Sequence, residues 1–176
     1  RPAVGLDLMV TDHAGKPLES QRGQEGRLWV RGTSVVSRYF GQTEEATKDG
    51  WFDTGDLAVL SEAGQVFITG RSKDLIKSGG EWINPTEIET LVSRLPEVAL
   101  AAVVGRAHPK WGERPVLMVE IREGYELSDE ALLAGLKGQV PNWWLPDEII
   151  RIGTMPLAGT GKIDKMGLRD LCSTMV

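Results

Sequence analysis

The feature that most constrains the fold is a change in hydrophobic periodicity near Arg71. Before it, short segments such as VGLDLMVTD over 4–12 alternate apolar and polar residues with a period of two, which is typical of half-buried strands. After it, NPTEIETLVSRLP places apolar residues at the i, i+3, i+4 and i+7 spacing of an amphipathic helix. The 176 residues therefore predict two different units.

The segment over 1–70 predicts a small antiparallel β unit. Short strands separated by short turns such as SEAG are the pattern of such a unit. The predicted strands cover 4–12, 26–32, 51–60 and 64–70.

From residue 74 onward the pattern predicts hairpin, helix, strand, strand, helix, strand, loop and helix. The first helix begins with Asn84 as N-cap, Pro85 at the first helical position and Glu87 placed for a capping box. Ser128 is the predicted N-cap of the second helix. The predicted strands cover 98–105, 114–123 and 147–153, and the predicted later helices cover 128–140 and 165–172.

The expected fold class is α+β. A small antiparallel β subdomain precedes a compact α+β domain that consists of a three-stranded sheet, helices and a β-hairpin. The boundary falls at Arg71–Lys73.

Composition and charge exclude several classes of function. The chain is 41% hydrophobic and 26% charged, as expected for a globular protein with a core. Its net charge of −5 provides no basic field for nucleic acid, so an anionic substrate must meet a local cationic site. The run VALAAVVG is far shorter than the roughly 20 residues that span a bilayer. The single cysteine, Cys172, cannot form an internal disulfide, which fits a reducing, cytoplasmic compartment.

The chain begins with Arg1 rather than with methionine, and its first residues, RPAVGLDLMV, lack the features of a signal peptide. We therefore expect this chain to be a piece of a longer protein.

A glycine-rich segment, MPLAGTGKIDK over 155–165, is the first candidate site. A lysine that follows Thr-Gly can extend its ammonium group toward a carboxylate or a phosphate. The segment is not a P-loop, because Ile163 follows Lys162 where that motif requires Ser or Thr. Taken alone, it is more simply interpreted as a surface loop before a helix.

The second candidate is WFDTGDLA over 51–58, in which Asp53 and Asp56 flank Thr-Gly in an expected turn at the end of a strand. These carboxylates suit ribose hydroxyls or a metal, and an Asx-turn at Asp53 is the structural alternative. His13 and His108 lie far apart without motif partners, so neither a structural zinc site nor a Ser-His-Asp triad is predicted. We predict no metal-ligand cluster in this chain.

Five segments occur together in one order: GRLWVRG, GWFDTGDL, GRSKDLIKSGGEWINPTEIE, LPDEI and PLAGTGKIDK. This combination resembles the adenylate-forming superfamily of acyl- and aryl-CoA ligases, nonribosomal adenylation domains and beetle luciferases, and it covers essentially the whole chain. The family's upstream phosphate loop and acyl pocket have no counterpart here. The chain thus resembles the C-terminal third of such an enzyme, with 1–70 as the last β subdomain of the large domain, 71–73 as the hinge and 74–176 as the mobile domain.

The resemblance implies a two-step reaction and a role for three residues. In this family a carboxylate attacks the α-phosphate of Mg²⁺-bound ATP, and a thiol, usually that of CoA, then attacks the acyl-adenylate and expels AMP. Lys162 matches the lysine that bridges the two anions in the first step. Asp56 and Arg71 match the residues that contact the ribose.

The resemblance also implies a hinge and a thiol channel. Lys73 matches the pivot of the small domain, and Gly80 matches the glycine that faces the pantetheine tunnel, with Gly79, Glu81 and Trp82 beside it. Solvated charges at Lys73 and Lys77, and a simple turn at Gly79–Gly80, are the structural alternatives. The role of Lys77 is left open.

The expected function of the whole protein is that of an AMP-forming acyl-CoA ligase. VPNWWLPDEI resembles the equivalent stretch of medium- and long-chain acyl-CoA ligases, which favours a fatty or other apolar acid as substrate. ATP, Mg²⁺, CoA and a missing N-terminal large domain are the expected cofactors and partners, and homodimerisation is compatible with an exposed 1–70 unit. The isolated fragment is expected to be inactive. An adenylation domain that loads a carrier protein and a non-catalytic interaction module are the alternatives.

Overall fold

The computed structural model describes residues 5–174 and divides into two compact units between Lys73 and Asp74. Val4, the first residue of the first predicted strand, lies outside the described residues.

The first unit is a four-stranded antiparallel sheet in which neighbours in sequence are neighbours in space. All four predicted strands are present, because their period-two patterns bury one face around residues such as Val10 and Leu57. The strands are β1 (Leu6–Thr11), β2 (Glu25–Gly32), β3 (Phe52–Leu60) and β4 (Val66–Arg71).

The second unit is built on one five-stranded sheet in the order β6-β5-β8-β7, with β9 paired in parallel to β8. Its strands are β5 (Ile76–Ser78), β6 (Glu81–Ile83), β7 (Val98–His108), β8 (Gly112–Ile121) and β9 (Glu148–Arg151). The α+β class is confirmed. The predicted hairpin and the predicted three-stranded sheet are both present, and the pair between Ser78 of β5 and Gly112 of β8 joins them into one sheet.

Three helices cover the two faces of this sheet: α1 (Pro85–Val92), α2 (Asp129–Leu136) and α3 (Lys165–Thr174). Consecutive residues of β7 point to opposite faces. Val103 therefore joins the buried cluster that contains α1 and α2, whereas Val104 joins the cluster that contains Leu168 and Cys172 of α3.

Both predicted helix starts are confirmed by their caps. The side chain of Asn84 accepts a hydrogen bond from the Thr86 amide at 3.1 Å, with Pro85 in the first turn. The Ser128 hydroxyl accepts one from the Ala131 amide at 3.2 Å. α2 ends at Leu136, earlier than the predicted residue 140, because Lys137 leaves helical geometry with ψ at 127°.

Within residues 5–174, no helix is long and apolar enough to cross a membrane.

Candidate functional site

The first candidate pair, Asp56 and Arg71, lies side by side in the first unit. The two residues are direct cross-strand partners in β3 and β4, and Arg71 Nη1 lies 2.9 Å from Asp56 Oδ1. Arg71 is about half exposed and Asp56 is less so, with side-chain exposures of 51% and 23%. A carboxylate and a guanidinium are thus presented together on one strand pair, where they can bind a polyhydroxylated ligand.

The geometry around Asp56 comes from irregularities in β3. The predicted turn at the end of a strand is wrong, since Asp53–Asp56 lies inside β3. Gly55 has a φ of +70°. The register of β3 shifts against β2 within this segment and against β4 just after Leu57. Such bulges redirect side chains within a strand, and here they place Asp56 opposite Arg71.

Asp53 has a structural role. Its Oδ1 accepts a hydrogen bond from the Gly55 amide at 3.0 Å, which is the Asx-turn offered as the alternative. Its other oxygen pairs with Arg27. The two aspartates of the motif therefore differ, and Asp56 is the candidate ligand residue.

The chain leaves the first unit through a 3₁₀ turn over Ser72–Asp74. The Ser72 hydroxyl donates to the Gly55 carbonyl at 3.1 Å, which ties this turn to the Asp56 segment. Lys73 is the last residue before the division between the units. The pivot role of Lys73 stays a prediction.

The Gly79–Gly80 pair forms the two-residue turn of the β5–β6 hairpin. Ser78 pairs with Glu81, and both glycines have positive φ, at 60° and 93°. A hairpin turn of this kind requires positive φ at both central positions, which glycine adopts without strain. The two glycines thus form the simple turn that is the structural alternative to a thiol channel. The channel role of Gly80 stays a prediction.

The surroundings of the two glycines differ. A Cβ at Gly79 would lie 2.9 Å from the Trp111 ring, and the Gly79 amide donates to the Trp111 carbonyl at 2.8 Å. A Cβ at Gly80 would meet nothing within 4 Å. Gly79 is therefore required by packing as well as by the turn, whereas Gly80 faces open space.

This difference predicts distinct effects of alanine at the two positions. Both variants should lose about 1–2 kcal/mol in the free energy of unfolding, because positive φ is strained for alanine, and Gly79→Ala should lose more because its Cβ meets the Trp111 ring. Only Gly79→Ala should displace the Trp111 indole, and therefore only it should change the near-UV circular dichroism of the chain. Urea unfolding and near-UV spectra of both variants check this; an unchanged spectrum for Gly79→Ala would contradict it.

A cleft of about 370 Å³ opens beside this turn, lined by Gly79, Glu81, Trp111, Arg114 and Trp143 among others. Trp111 and Trp143 are 43% and 40% exposed. The cleft thus combines two accessible aromatic rings with charged groups, as ligand clefts commonly do.

Arg114 holds the wall of this cleft together. Its guanidinium makes a bidentate contact with Asp147 at 2.7–3.0 Å, donates to the Ser78 hydroxyl at 3.1 Å, and donates to the carbonyls of Trp143 and Leu145 at 2.7 and 3.0 Å. The side chain is only 14% exposed. The sequence does not reveal this arginine, because its partners are distant along the chain.

Glu81 and Trp82 point to different surroundings, as adjacent residues of a strand do. Glu81 lines the cleft. The ring of Trp82 lies with its centroid 5.4 Å from Lys77 Nζ, a cation–π contact across the hairpin. The sequence left the role of Lys77 open. This contact gives its side chain a structural role.

Lys162 is presented by a tight hairpin within the segment predicted as a loop. The Gly161 amide donates to the Ala158 carbonyl at 2.8 Å, the Ala158 amide donates to the Lys162 carbonyl at 2.7 Å, and Leu157 pairs with Ile163. Gly161 has a φ of +79°, as the third residue of such a loop requires. The Lys162 side chain is exposed, while its backbone is held.

Two further residues near this hairpin were missed by sequence reasoning, Glu89 and Lys165. Lys165 Nζ lies 2.7 Å from Glu89 Oε1, and both side chains are mostly buried, with exposures of 17% and 16%. Burial raises the pKa of Glu89, and the Lys165 ammonium opposes that rise only in part. The only sequence signal is that both residues are charged and lie in helical patterns.

The raised pKa of Glu89 predicts a pH dependence of stability. The folded chain keeps a proton on Glu89 at pH values where the unfolded chain has lost it, so this group's contribution to the free energy of unfolding falls as pH rises from about 4.5 through the higher folded pKa. Glu89→Gln should remove that fall in urea unfolding measured over this window. Exposed Glu123→Gln is the control for the change in charge, and an equal slope in both variants would contradict the expectation.

His108 and Cys172 have structural surroundings. His108 Nδ1 accepts hydrogen bonds from the Lys110 and Trp111 amides at 3.1 and 3.2 Å, and so it shapes the loop that places Trp111 over Gly79. Cys172 is buried, and burial raises the pKa of its thiol. Among residues 5–174, no group of His, Cys, Asp and Glu is arranged to hold a metal ion.

Residues 87–162, which run from α1 to Lys162, match the AMP-binding enzyme C-terminal domain family. The chain belongs to the adenylate-forming superfamily. It is 43% identical over 171 residues to 3-methylmercaptopropionyl-CoA ligase of Ruegeria lacuscaerulensis, a match that covers 97% of this chain and 32% of that protein. Medium-chain-fatty-acid–CoA ligase of Ectopseudomonas oleovorans is 37% identical over 171 residues, with 97% and 31% covered.

Among solved structures, ATP-bound MatB from Rhodopseudomonas palustris matches with a TM-score of 0.84 at 35% identity, over 95% of this chain and 34% of that one. The chain thus spans about a third of the length of the relatives it matches.

Proposed function

We propose that this chain is the C-terminal part of an ATP-dependent acyl-CoA ligase that adenylates a carboxylic acid and transfers the acyl group to CoA. The observation that carries the proposal is the presentation of Lys162. An exposed ammonium group on a hairpin with a fixed backbone can approach two anions at once, and the attack of a carboxylate on a phosphate requires such a cation.

Asp56 and Arg71 hold the nucleotide in this proposal. The Asp56 carboxylate accepts hydrogen bonds from the ribose hydroxyls, and Arg71, 2.9 Å away, orients that carboxylate and contacts the ribose itself. The nucleotide is ATP, with Mg²⁺ bound to its phosphates and most of the metal's ligands supplied outside this chain.

Gly80 serves the second half-reaction. The open space on its Cβ side leaves room for a narrow thiol arm along the Gly79–Gly80 turn. Glu81, which lines the adjoining cleft, flanks that arm on one side, and Trp82, which points to the other face of β6, flanks it on the other. A rotation at Lys73 moves the Lys162 hairpin out of the active site after adenylation and brings this turn to it for thioester formation. A few backbone dihedral changes in a short connection can reorient a whole unit in this way.

The acid is proposed to carry an apolar tail. Two relatives act, by name, on 3-methylmercaptopropionate and on medium-chain fatty acids. Both are monocarboxylic acids without a second charge, which agrees with the fatty acid predicted from VPNWWLPDEI. Cytoplasmic location and homodimerisation stay predictions.

The test uses the full-length protein with a panel of monocarboxylic acids that includes 3-methylmercaptopropionate, straight-chain fatty acids and aromatic acids. ATP–pyrophosphate exchange measures adenylation, and thioester formation is followed with CoA and, separately, with a carrier protein. Exchange and CoA thioester with an apolar acid support the proposal. A thioester on the carrier alone would point to a carrier-loading adenylation domain, and no exchange with any acid would point to a non-catalytic module.

The isolated chain should show no exchange, because the family's phosphate loop, which would hold the triphosphate, has no counterpart in this sequence. Exchange catalysed by residues 1–176 alone would contradict this expectation.

A further inference from the structure

Helix α3 carries two cations one turn apart, and each is paired with a carboxylate on a different segment. Lys165 Nζ lies 2.7 Å from Glu89 Oε1 of α1, and Arg169 Nη2 lies 3.1 Å from Asp74 Oδ1. Residues spaced i and i+4 lie on the same face of a helix. One face of α3 is therefore held by two ionic contacts.

The carboxylates are themselves held in place. Glu89 Oε1 also accepts a hydrogen bond from the Val103 amide of β7 at 2.7 Å. Asp74 is 13% exposed and follows Lys73 directly in the chain. Through these pairs α3 is joined to α1, to the central sheet and to the residue next to the proposed pivot.

The Lys162 hairpin is continuous with this helix. The Asp164 amide donates to the Pro156 carbonyl at 2.9 Å and closes the hairpin, and Asp164 Oδ1 accepts from the Gly167 amide at 3.1 Å in the first turn of α3. A Cβ at Gly167 would lie 2.8 Å from Asp164 Oδ2, so the glycine makes room for this contact. The hairpin therefore follows any movement of the start of α3.

Apolar packing alone does not define that position. Leu168 and Cys172, at i+3 and i+7 from Lys165, bury the adjoining strip of the same side of α3 in the core, but hydrophobic contact is non-directional. Mostly buried ion pairs contribute little net stability because of desolvation, and their best-attested use is to specify one arrangement. The ionic contacts are thus the groups suited to fix the rotation and register of α3.

We propose that Lys165 and Arg169 are positioning residues for Lys162. Their pairs with Glu89 and Asp74 hold the hairpin in one orientation relative to α1 and to the residue after the pivot, so that a rotation at Lys73 carries Lys162 with it as one body. This inference rests on the proposed function for the role of Lys162, while the mechanical part stands on the structure of the second unit.

The mechanical part is tested by amide hydrogen exchange on the 176-residue chain. The reporters are the amides of Ala158, Gly161 and Asp164, which donate the hydrogen bonds that form the hairpin. In Lys165→Met their exchange should become faster by about 10-fold or more, since local opening becomes easier. Lys165→Arg, which keeps the charge, should restore the wild-type rate.

The control is Arg151→Met, which removes the exposed pair between Arg151 of β9 and Asp129 of α2 and should leave these amides unchanged. Unchanged hairpin exchange in both Lys165→Met and Arg169→Met would overturn the proposal. If Lys165→Met does not fold, judged by circular dichroism, Arg169→Met and Glu89→Gln provide the same test.

The functional part is tested in the full-length protein. In Lys165→Met, kcat for ATP–pyrophosphate exchange should fall by about 10- to 100-fold, as expected when a catalytic group is misplaced by about 1 Å. The KM for ATP and thioester formation from preformed acyl-adenylate should change by less than about three-fold, which a general loss of folding would not produce.

The two proposals fail differently. If Lys162→Ala keeps full exchange, the proposed function of Lys162 is wrong, and the hydrogen-exchange result still decides the mechanical part. If Lys162→Ala abolishes exchange while Lys165→Met keeps it, the positioning role is wrong and the proposed function stands.

Discussion

Replacing Lys162 with alanine in the full-length protein should slow adenylation by about 10²- to 10³-fold, the loss of about 2.7–4 kcal/mol that follows removal of one preorganised electrostatic contact to a transition state. The Lys162 side chain is exposed on its hairpin, so its removal should not destabilise the fold. The measurement is ATP–pyrophosphate exchange. Thioester formation from preformed acyl-adenylate should persist, since the lysine acts in the first step only.

Lys137→Ala is the matched control for Lys162→Ala. Lys137 is also an exposed lysine of the second unit, and it lies at the end of α2 outside the hairpin. It should leave both half-reactions unchanged. Equal losses in both half-reactions with Lys162→Ala would contradict a role confined to adenylation.

Replacing Gly80 with leucine should impair the other half-reaction, thioester formation, and leave adenylation in place. The side chain would fill the open space beside the Gly79–Gly80 turn, so thioester formation should fall by about 100-fold or more if the thiol arm passes there, a loss of the size that misplaced reactants cause. Adenylation should continue, and acyl-adenylate should accumulate. Both half-reactions are measured on the same preparation.

Leucine at Gly80 also strains the backbone, and Gly124→Leu controls for that effect. Gly124 has a φ of +82° with nothing within 4 Å of its Cβ position, as Gly80 has at 93°. Gly124→Leu should cost similar stability and leave thioester formation intact. If both leucine variants lose the thioester step equally, strain rather than a blocked channel explains the result.

Local features of the fold were predicted well. The strands of the first unit, the N-caps Asn84 and Ser128, and the glycine pair of the β5–β6 hairpin all follow from patterns within a few residues of one another. Period-two and helical spacings, caps and positive-φ turns are decided by neighbouring residues. These features can therefore be predicted from the sequence without knowledge of the tertiary structure.

The turn expected at Asp53–Asp56 shows where prediction from neighbouring residues fails. A Thr-Gly between two aspartates is a turn signal, yet the segment lies within β3, because pairing with β2 and β4 outweighs that local preference. Local patterns also did not show that the predicted hairpin is joined to the sheet, which one cross-strand pair between Ser78 and Gly112 brings about.

The sequence by itself determined which residues are candidates for the chemistry, namely the lysine after Thr-Gly, the second aspartate of the D-T-G-D motif and the glycine pair, because these motifs are contiguous. Only the tertiary structure decided which distant groups meet them. Arg71 lies opposite Asp56 beside a β-bulge. Arg114 donates to the Trp143 carbonyl in the wall of the cleft, and Glu89 pairs with Lys165 of the helix that follows Lys162. Such pairings depend on sheet register and helix packing between distant segments, which no local pattern specifies.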